Sequence, residues 1–145
     1  MITLEKLKIK SQKQFELIDV TDKVKSAVDS SGITKGIVNV FSSHTTAAIR
    51  INHNEPLLIQ DFMKMIYRLV PVDMNYSHDL FEIRSGIEAG ERSNGHAHVK
   101  AFLLGSSETI PVSDRKMQLG GKQSIFLVEL DGARDREVSV LVSGE

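Results

Sequence analysis

Hydrophobic and polar residues alternate at the start of the chain. In residues 2–9, Ile2, Leu4 and Lys6 fall on one side, and Thr3, Glu5 and Leu7 on the other. That period of two predicts a strand, and its lysines suit a sheet edge. "FELIDV" (15–20) predicts a second strand. In "TDKVKSAVDSSG" the period changes: Val24, Ala27 and Val28 stand at helical spacing, with Thr21 as a cap before them and Gly32 after. "KGIVNVFSS" (35–43) is β-rich, and "HTTAAIRIN" (44–52) continues it. Asn54 then caps a predicted helix with Glu55 and Pro56 in its first turn. Its apolar stripe is Leu58, Phe62, Met65, Ile66 and Leu69, and Pro71 stops it. Residues 71–95 have weak periodicity and receive no element. From residue 97, "AHVKAFLLG", "ETIPV", "MQLG" and "QSIFLVEL" read as strands, and "DGARD" as a turn into the strand "REVSVLVSG". No repeat or linker interrupts this order. The expectation is one α+β domain over residues 1–145, with a mainly antiparallel or mixed sheet and about two main helices.

Composition narrows the class without naming a function. The chain has 145 residues, 41% hydrophobic and 26% charged, with a formal net charge of −1. This is a globular profile with room for a real core. The balanced charge gives no long-range attraction to nucleic acid or anionic lipid. There is no cysteine, so disulfides, thiolate metal sites and cysteine nucleophiles are excluded. No apolar run reaches the ~18 residues of a membrane span, and the charged N-terminal stretch is not a signal peptide. A cytoplasmic location, with neither nucleic-acid nor membrane partners, is the expectation.

The five histidines carry the candidate chemistry: His44, His53, His78, His96 and His98. If 44–52 is a strand, Thr45, Ala47, Ile49 and Ile51 pack on the core. His44, Thr46, Ala48, Arg50 and Asn52 then share the opposite, more polar face. If 96–104 is a strand, His96, His98 and Lys100 share a face in the same way. A His-x-His strand with His44 from a neighbour could give three nitrogens to zinc, with a fourth position open. The ordinary alternative is that these histidines are solvated or hydrogen-bonded, and His53 fits it best.

Other residues have weaker claims. Lys100 could meet a phosphate as a point charge, although such a lysine is more often solvated. "LLGSS" (103–107) could offer Ser106 and Ser107 to an anion, but matches no phosphate-loop pattern. Asp61 is a candidate base or a partner orienting a histidine. Arg134 and Arg136, beside a turn, read as solvated charge.

"HTTAAIRIN", "YSH", "AHVKAFLLGSSETIPV" and "LGGKQSIFLVELDGARDREVSV" together resemble the YjbQ-like family, whose members are often labelled secondary thiamine-phosphate synthases. The resemblance runs from about residue 10 to the C-terminus. It implies an α+β domain with a large mixed, mainly antiparallel sheet, usually assembled as a homotrimer. It also implies a weak activity, condensing a hydroxymethylpyrimidine diphosphate with a thiazole phosphate. The physiological reaction of the family is not settled. Carried onto this chain, the recurring histidines fall on His44, His78 and His98, leaving His96 as a neighbour. Two positions depart from the family pattern: His53 stands where a carboxylate is common, and Lys122 where tryptophan is common.

On this basis His44, His78 and His98 are the expected ligands of a divalent metal, zinc being the first choice. His44, His98 and Asp61 are the catalytic candidates. Thr45, Thr46, Lys100, Ser106 and Ser107 would bind a small phosphorylated ligand. Three readings stand open: a metal-dependent transferase or hydrolase, a metal-free ligand-binding module, and a structural trimer without catalysis.

Overall fold

In the computed structural model the alternating N-terminal run is strand β1 (Ile2–Lys10), followed by β2 (Glu16–Asp19) and helix α1 (Thr21–Ser31). Then come β3 (Lys35–Ser42), β4 (Ala47–Asn52), α2 (Pro56–Leu69) and a single 3-10 turn at Ser77–Asp79. Helix α3 (Gly95–Leu104) precedes β5 (Ser107–Ser113), β6 (Lys116–Met117), β7 (Ser124–Glu129) and β8 (Asp135–Gly144). The structure describes residues 1–81, 84, 86–87 and 92–145.

The chain is α+β, with its strands in two antiparallel sheets rather than one. The larger has the order β1-β8-β3-β5-β6 and the smaller β2-β7-β4. β8 is the hub of the larger sheet. It pairs with β1 from Ile2↔Ser143 to Lys10↔Asp135, and with β3 from Gly36↔Gly144 to Ser42↔Val138. Its alternation is strict, with Arg136, Val138, Val140 and Val142 facing inward. These valines meet Val38 and Val40 of β3 and the buried face of α1 (Val24, Ala27, Val28).

β7 is buried on both faces, which is why "SIFLVE" reads as one apolar run. Ile125 and Leu127 join the core shared with α1 and the larger sheet. Phe126 and Val128 join a second core beneath α2 and α3. β4 divides in the same way. Ala47 and Ile49 face the first core as expected, while Ala48 packs with Ala97 and Ala101 of α3.

The stretch read as a strand at 97–105 is helical. Its buried residues are Gly95, His96, Ala97, Lys100 and Ala101, the i, i+4 spacing of a helix laid on a sheet. Alanine, leucine and lysine favour this form, and the small Ala97 and Ala101 let α3 lie close to β4. Gly105, at φ 102°, ends it.

Two caps also differ from expectation. Glu55, rather than Asn54, caps α2, its carboxylate accepting from Leu57 N and Leu58 N. The amide of Asn54 donates to Asp19 Oδ2 instead. Thr21 belongs to α1, and its hydroxyl accepts from Ile125 N at 2.8 Å, tying α1 to β7. Gly32 closes α1 at φ 71° as expected.

Gly36 pairs with Gly144 where β3 runs against β8. A Cβ there would lie 2.0 Å from the main-chain oxygen of Ser143, and neither strand can yield without losing its ladder. Gly36→Ala should therefore lose about 1–3 kcal/mol of stability. Urea unfolding would show this as a lower midpoint, and an unchanged midpoint would refute it.

Candidate functional site

His44 does not lie within a strand. β3 ends at Ser42 and β4 begins at Ala47, so residues 43–46 form a bend between the two sheets. The Ser42 hydroxyl accepts from His44 N at 3.3 Å. The imidazole then takes a place in the larger sheet, since Glu137 N donates to His44 Nε2 at 2.9 Å. Ser42 pairs with Val138, so the ring occupies the position beyond the end of β3 where the next carbonyl of that strand would have sat.

His98 is half-buried on α3 and meets the same space. A pocket of about 330 Å³ is lined by His44, Thr45, Ala47, His98, Phe102 and Ser106, among others. Its base is fastened by the main chain after α3: Ile49 N donates to Gly105 O at 3.1 Å, and Ser42 N to Ser106 O at 2.9 Å. His44 also borders an outer depression of about 500 Å³ with Lys8, Lys10, Asp135, Arg136 and Glu137. It is the residue common to both.

Because 95–104 is a helix, His96 and His98 point about 200° apart instead of sharing a face. His96 turns inward. Its Nδ1 lies 2.8 Å from the Nζ of Lys100, one turn on, and both residues are buried. Lys100 Nζ also sits 4.9 Å from the centre of the Tyr67 ring. Burial pushes the ammonium of Lys100 below its usual range. Lys100 is thus not a solvated phosphate contact, and it does not line the pocket of His44 and His98. Burial, with Lys100 nearby, also lowers the pKa of His96.

Behind His44 is a buried ion pair of Glu129 and Arg136, the latter expected from its place beside a turn to be solvated. Glu129 is 0% exposed and Arg136 6%. The guanidinium donates through Nε to Glu129 Oε1 at 2.8 Å and through Nη2 to Oε2. Nη2 also donates to Thr46 Oγ1 at 2.9 Å, so Thr46 holds the fold rather than a ligand. Burial works to raise the Glu129 pKa, but hydrogen bonds from Arg136 and Ser11 outweigh it and hold the carboxyl below its usual range. The pKa of His44 is lowered by burial and by the charge of Arg136. A second buried acid, Asp131, accepts from Asn94 Nδ2 at 2.8 Å and from Arg134 Nη2 at 2.7 Å. It thereby anchors the start of α3 to the β7–β8 turn.

His78 sits on the 3-10 turn with its ring 4.7 Å from that of His98, centre to centre. Its Nδ1 lies 3.4 Å from Asp79 Oδ1, and its Nε2 accepts from Arg84. The three expected metal ligands therefore do not present three open nitrogens to one point. His44 Nε2 is committed to a backbone N–H, and His78 Nε2 to a guanidinium that would repel a cation. Among the described residues no group of three or more such side chains is placed to hold a metal ion.

Asp61 is exposed on α2 and does not line the pocket, and neither does Ser107. His53 and Lys122, the two departures from the family pattern, also lie outside it. Phe102, a pocket wall, carries no polar group and so was not singled out, although a strand would also place it on the face of His98. Glu129 and Arg136 left a readable signal: a lone carboxylate inside the apolar run "SIFLVEL", and an arginine in phase with inward-facing valines.

A model of the family described as UPF0047 protein YjbQ-like matches residues 5–145. The chain belongs to this family. A UPF0047 protein of Methanothermobacter thermautotrophicus is 43% identical over 141 residues, 97% of this chain and 92% of that protein. YugU of Bacillus subtilis, also a UPF0047 protein, is 32% identical over 97% of this chain and 99% of its own. Among solved structures, a YbjQ-like protein of unknown function from Sulfolobus solfataricus superimposes with a TM-score of 0.91. It is 36% identical, covering 100% of this chain and 99% of that one. A hypothetical protein from Aeropyrum pernix gives 0.88 at 32% identity, covering 99% of each. The UPF0047 chain thus keeps the fold of its relatives over its full described length.

The buried histidines set a pH dependence. Both His44 and His96 have folded pKa values below the ordinary 6.5. As pH falls through that value, the unfolded chain takes up protons first, so stability is full above it and declines below. Stability from urea unfolding should fall between about pH 7.5 and 5, above the range in which carboxylates titrate. His96→Gln should flatten part of that slope, whereas an identical slope would refute the assignment.

Proposed function

We propose that this protein is a small-molecule enzyme acting on a phosphorylated ligand in the pocket between the 43–46 bend and α3. The observation that carries this reading is the meeting of His44, Thr45, His98 and Ser106 on one opening. All four can donate a hydrogen bond to a phosphoryl oxygen, while Ala47 and Phe102 offer apolar wall to a ring. Lys8 and Lys10, across His44, add positive charge on the side where a second phosphate would extend.

The reaction to test first is the thiamine-phosphate synthase-type condensation implied by the family resemblance. The thiazole nitrogen gives its electron pair to the methylene carbon of the pyrimidine diphosphate. The carbon–oxygen bond breaks, and pyrophosphate leaves with that bond's electrons. No proton needs to move, so what helps is hydrogen-bond donation to the departing oxygens. His98 and His44 serve in this role rather than as metal ligands. His98→Ala should lower kcat about 10²–10³-fold, with stability changed by no more than about 1 kcal/mol. The assay is run before and after chelation. Full activity in the variant would refute the pocket, and loss of activity on chelation would refute the metal-free role.

We further propose a homotrimer that covers the outer face of α3. Phe102 is 92% exposed there, beside the exposed Val99 and Leu103. No residue of α2 is buried, and Leu57, Met65 and Leu69 are exposed along it. Apolar surface on this scale is normally covered by a partner. Light scattering should give three times the 16.1 kDa of one chain for the wild type, and the mass of one chain for Phe102→Asp. A wild-type monomer would refute the proposal.

A further inference from the structure

Its contact with β8 gives His44 a definite chemical state. A backbone N–H can only donate. Since Glu137 N–H points at Nε2 from 2.9 Å, that nitrogen carries no hydrogen, and the proton of the ring is on Nδ1. Full protonation would set one N–H against another, so the imidazolium form requires this bond to break. Nδ1 makes no hydrogen bond within the described residues, yet it is not among the buried polar atoms that lack a partner. It is therefore reached from open space. His44 lines the opening with His98 and Ser106, and Nδ1 is its ring nitrogen that β8 does not hold.

We propose that His44 is a fixed neutral hydrogen-bond donor whose Nδ1–H receives a phosphoryl oxygen of the ligand, with β8 holding the ring in that tautomer. This deepens the reading of the pocket as a site for phosphorylated molecules and rests on it. His44 is then neither a general base nor a ligand through Nε2. Arg136 and Glu129 act as positioning residues. The Arg136 guanidinium fixes Thr46, two residues on, and the chain from Arg136 into Glu137 presents the amide that orients the ring.

The test is long-range proton–nitrogen NMR on the whole protein labelled with nitrogen-15 histidine. The His44 signals are identified by their absence in His44→Gln. A protonated Nδ1 and a bare Nε2 at neutral pH are expected. A protonated Nε2, or averaged shifts from a freely turning ring, would overturn the assignment. Inorganic pyrophosphate is then added. A saturable movement of the Nδ1 resonance is expected, weakened in Thr45→Val/Ser106→Ala, and no movement would overturn the oxyanion role.

Substitution separates the two edges of the ring. Asparagine places an amide near Nδ1, glutamine near Nε2. If the condensation is measurable, His44→Asn should retain at least tenfold more kcat than His44→Gln. Equal loss in both would overturn the donor role. Should no condensation occur while the tautomer and the pyrophosphate response are as expected, the reaction is wrong and the donor stands.

Discussion

Glu129 ends β7 with no exposed surface, and its carboxylate meets the guanidinium of Arg136 from the start of β8. Removing two charges from water costs several kcal/mol per ion, and attraction alone seldom returns that. What makes the pair tolerable is the completeness of its bonding. Glu129 also accepts from the Ser11 hydroxyl at 2.6 Å and from the amides of Leu130 and Asp131. Arg136 also donates to the carbonyl and hydroxyl of Thr46. One ion pair therefore joins the end of β1, the bend before β4, the end of β7 and the start of β8. The two sheets meet at this junction, and His44 is mounted on it.

Helix α3 depends on the same corner. Asp131, two residues past Glu129, receives Asn94 just before the helix, and Gly95 N donates to Asp79 Oδ1 at 3.0 Å. A Cβ at Gly95 would lie 2.6 Å from Tyr76 Cβ, so the segment bearing His78 packs directly on the start of α3. The position of His98 beside His78 thus follows from these polar anchors together with the packing of Ala97 and Ala101 on Ala48.

Most of the strand order was readable because alternation survives wherever a sheet has one covered face, as in β1, β3 and β8. The helix at 95–104 was not, because a short segment with small residues on its buried face satisfies both periods. Ala97, Ala101 and Lys100 can be sorted by twos or by fours, and only the sheet beneath decides. That single ambiguity also misplaced His96 and Lys100, whose burial could not be foreseen from a strand. In the structure His44 and His98 line one pocket. The hydrogen-bonding state of His44 was not legible, since it depends on the amide of Glu137, far away in sequence. Arg136 was misjudged by its closeness to a turn, although its phase with Val138, Val140 and Val142 marked it as inward.

Strand β7 separates two interiors while belonging to both. Odd-numbered residues Ile125 and Leu127 address the core under α1, and even-numbered Phe126 and Val128 address the one under α2 and α3. Consecutive positions of this one segment are thus independent handles. Repacking at the even positions would tune the half that carries the pocket helix and leave the hub of the larger sheet alone. An engineer seeking a different pocket shape has in β7 a way to reach α3 from beneath, without altering a residue that faces the opening.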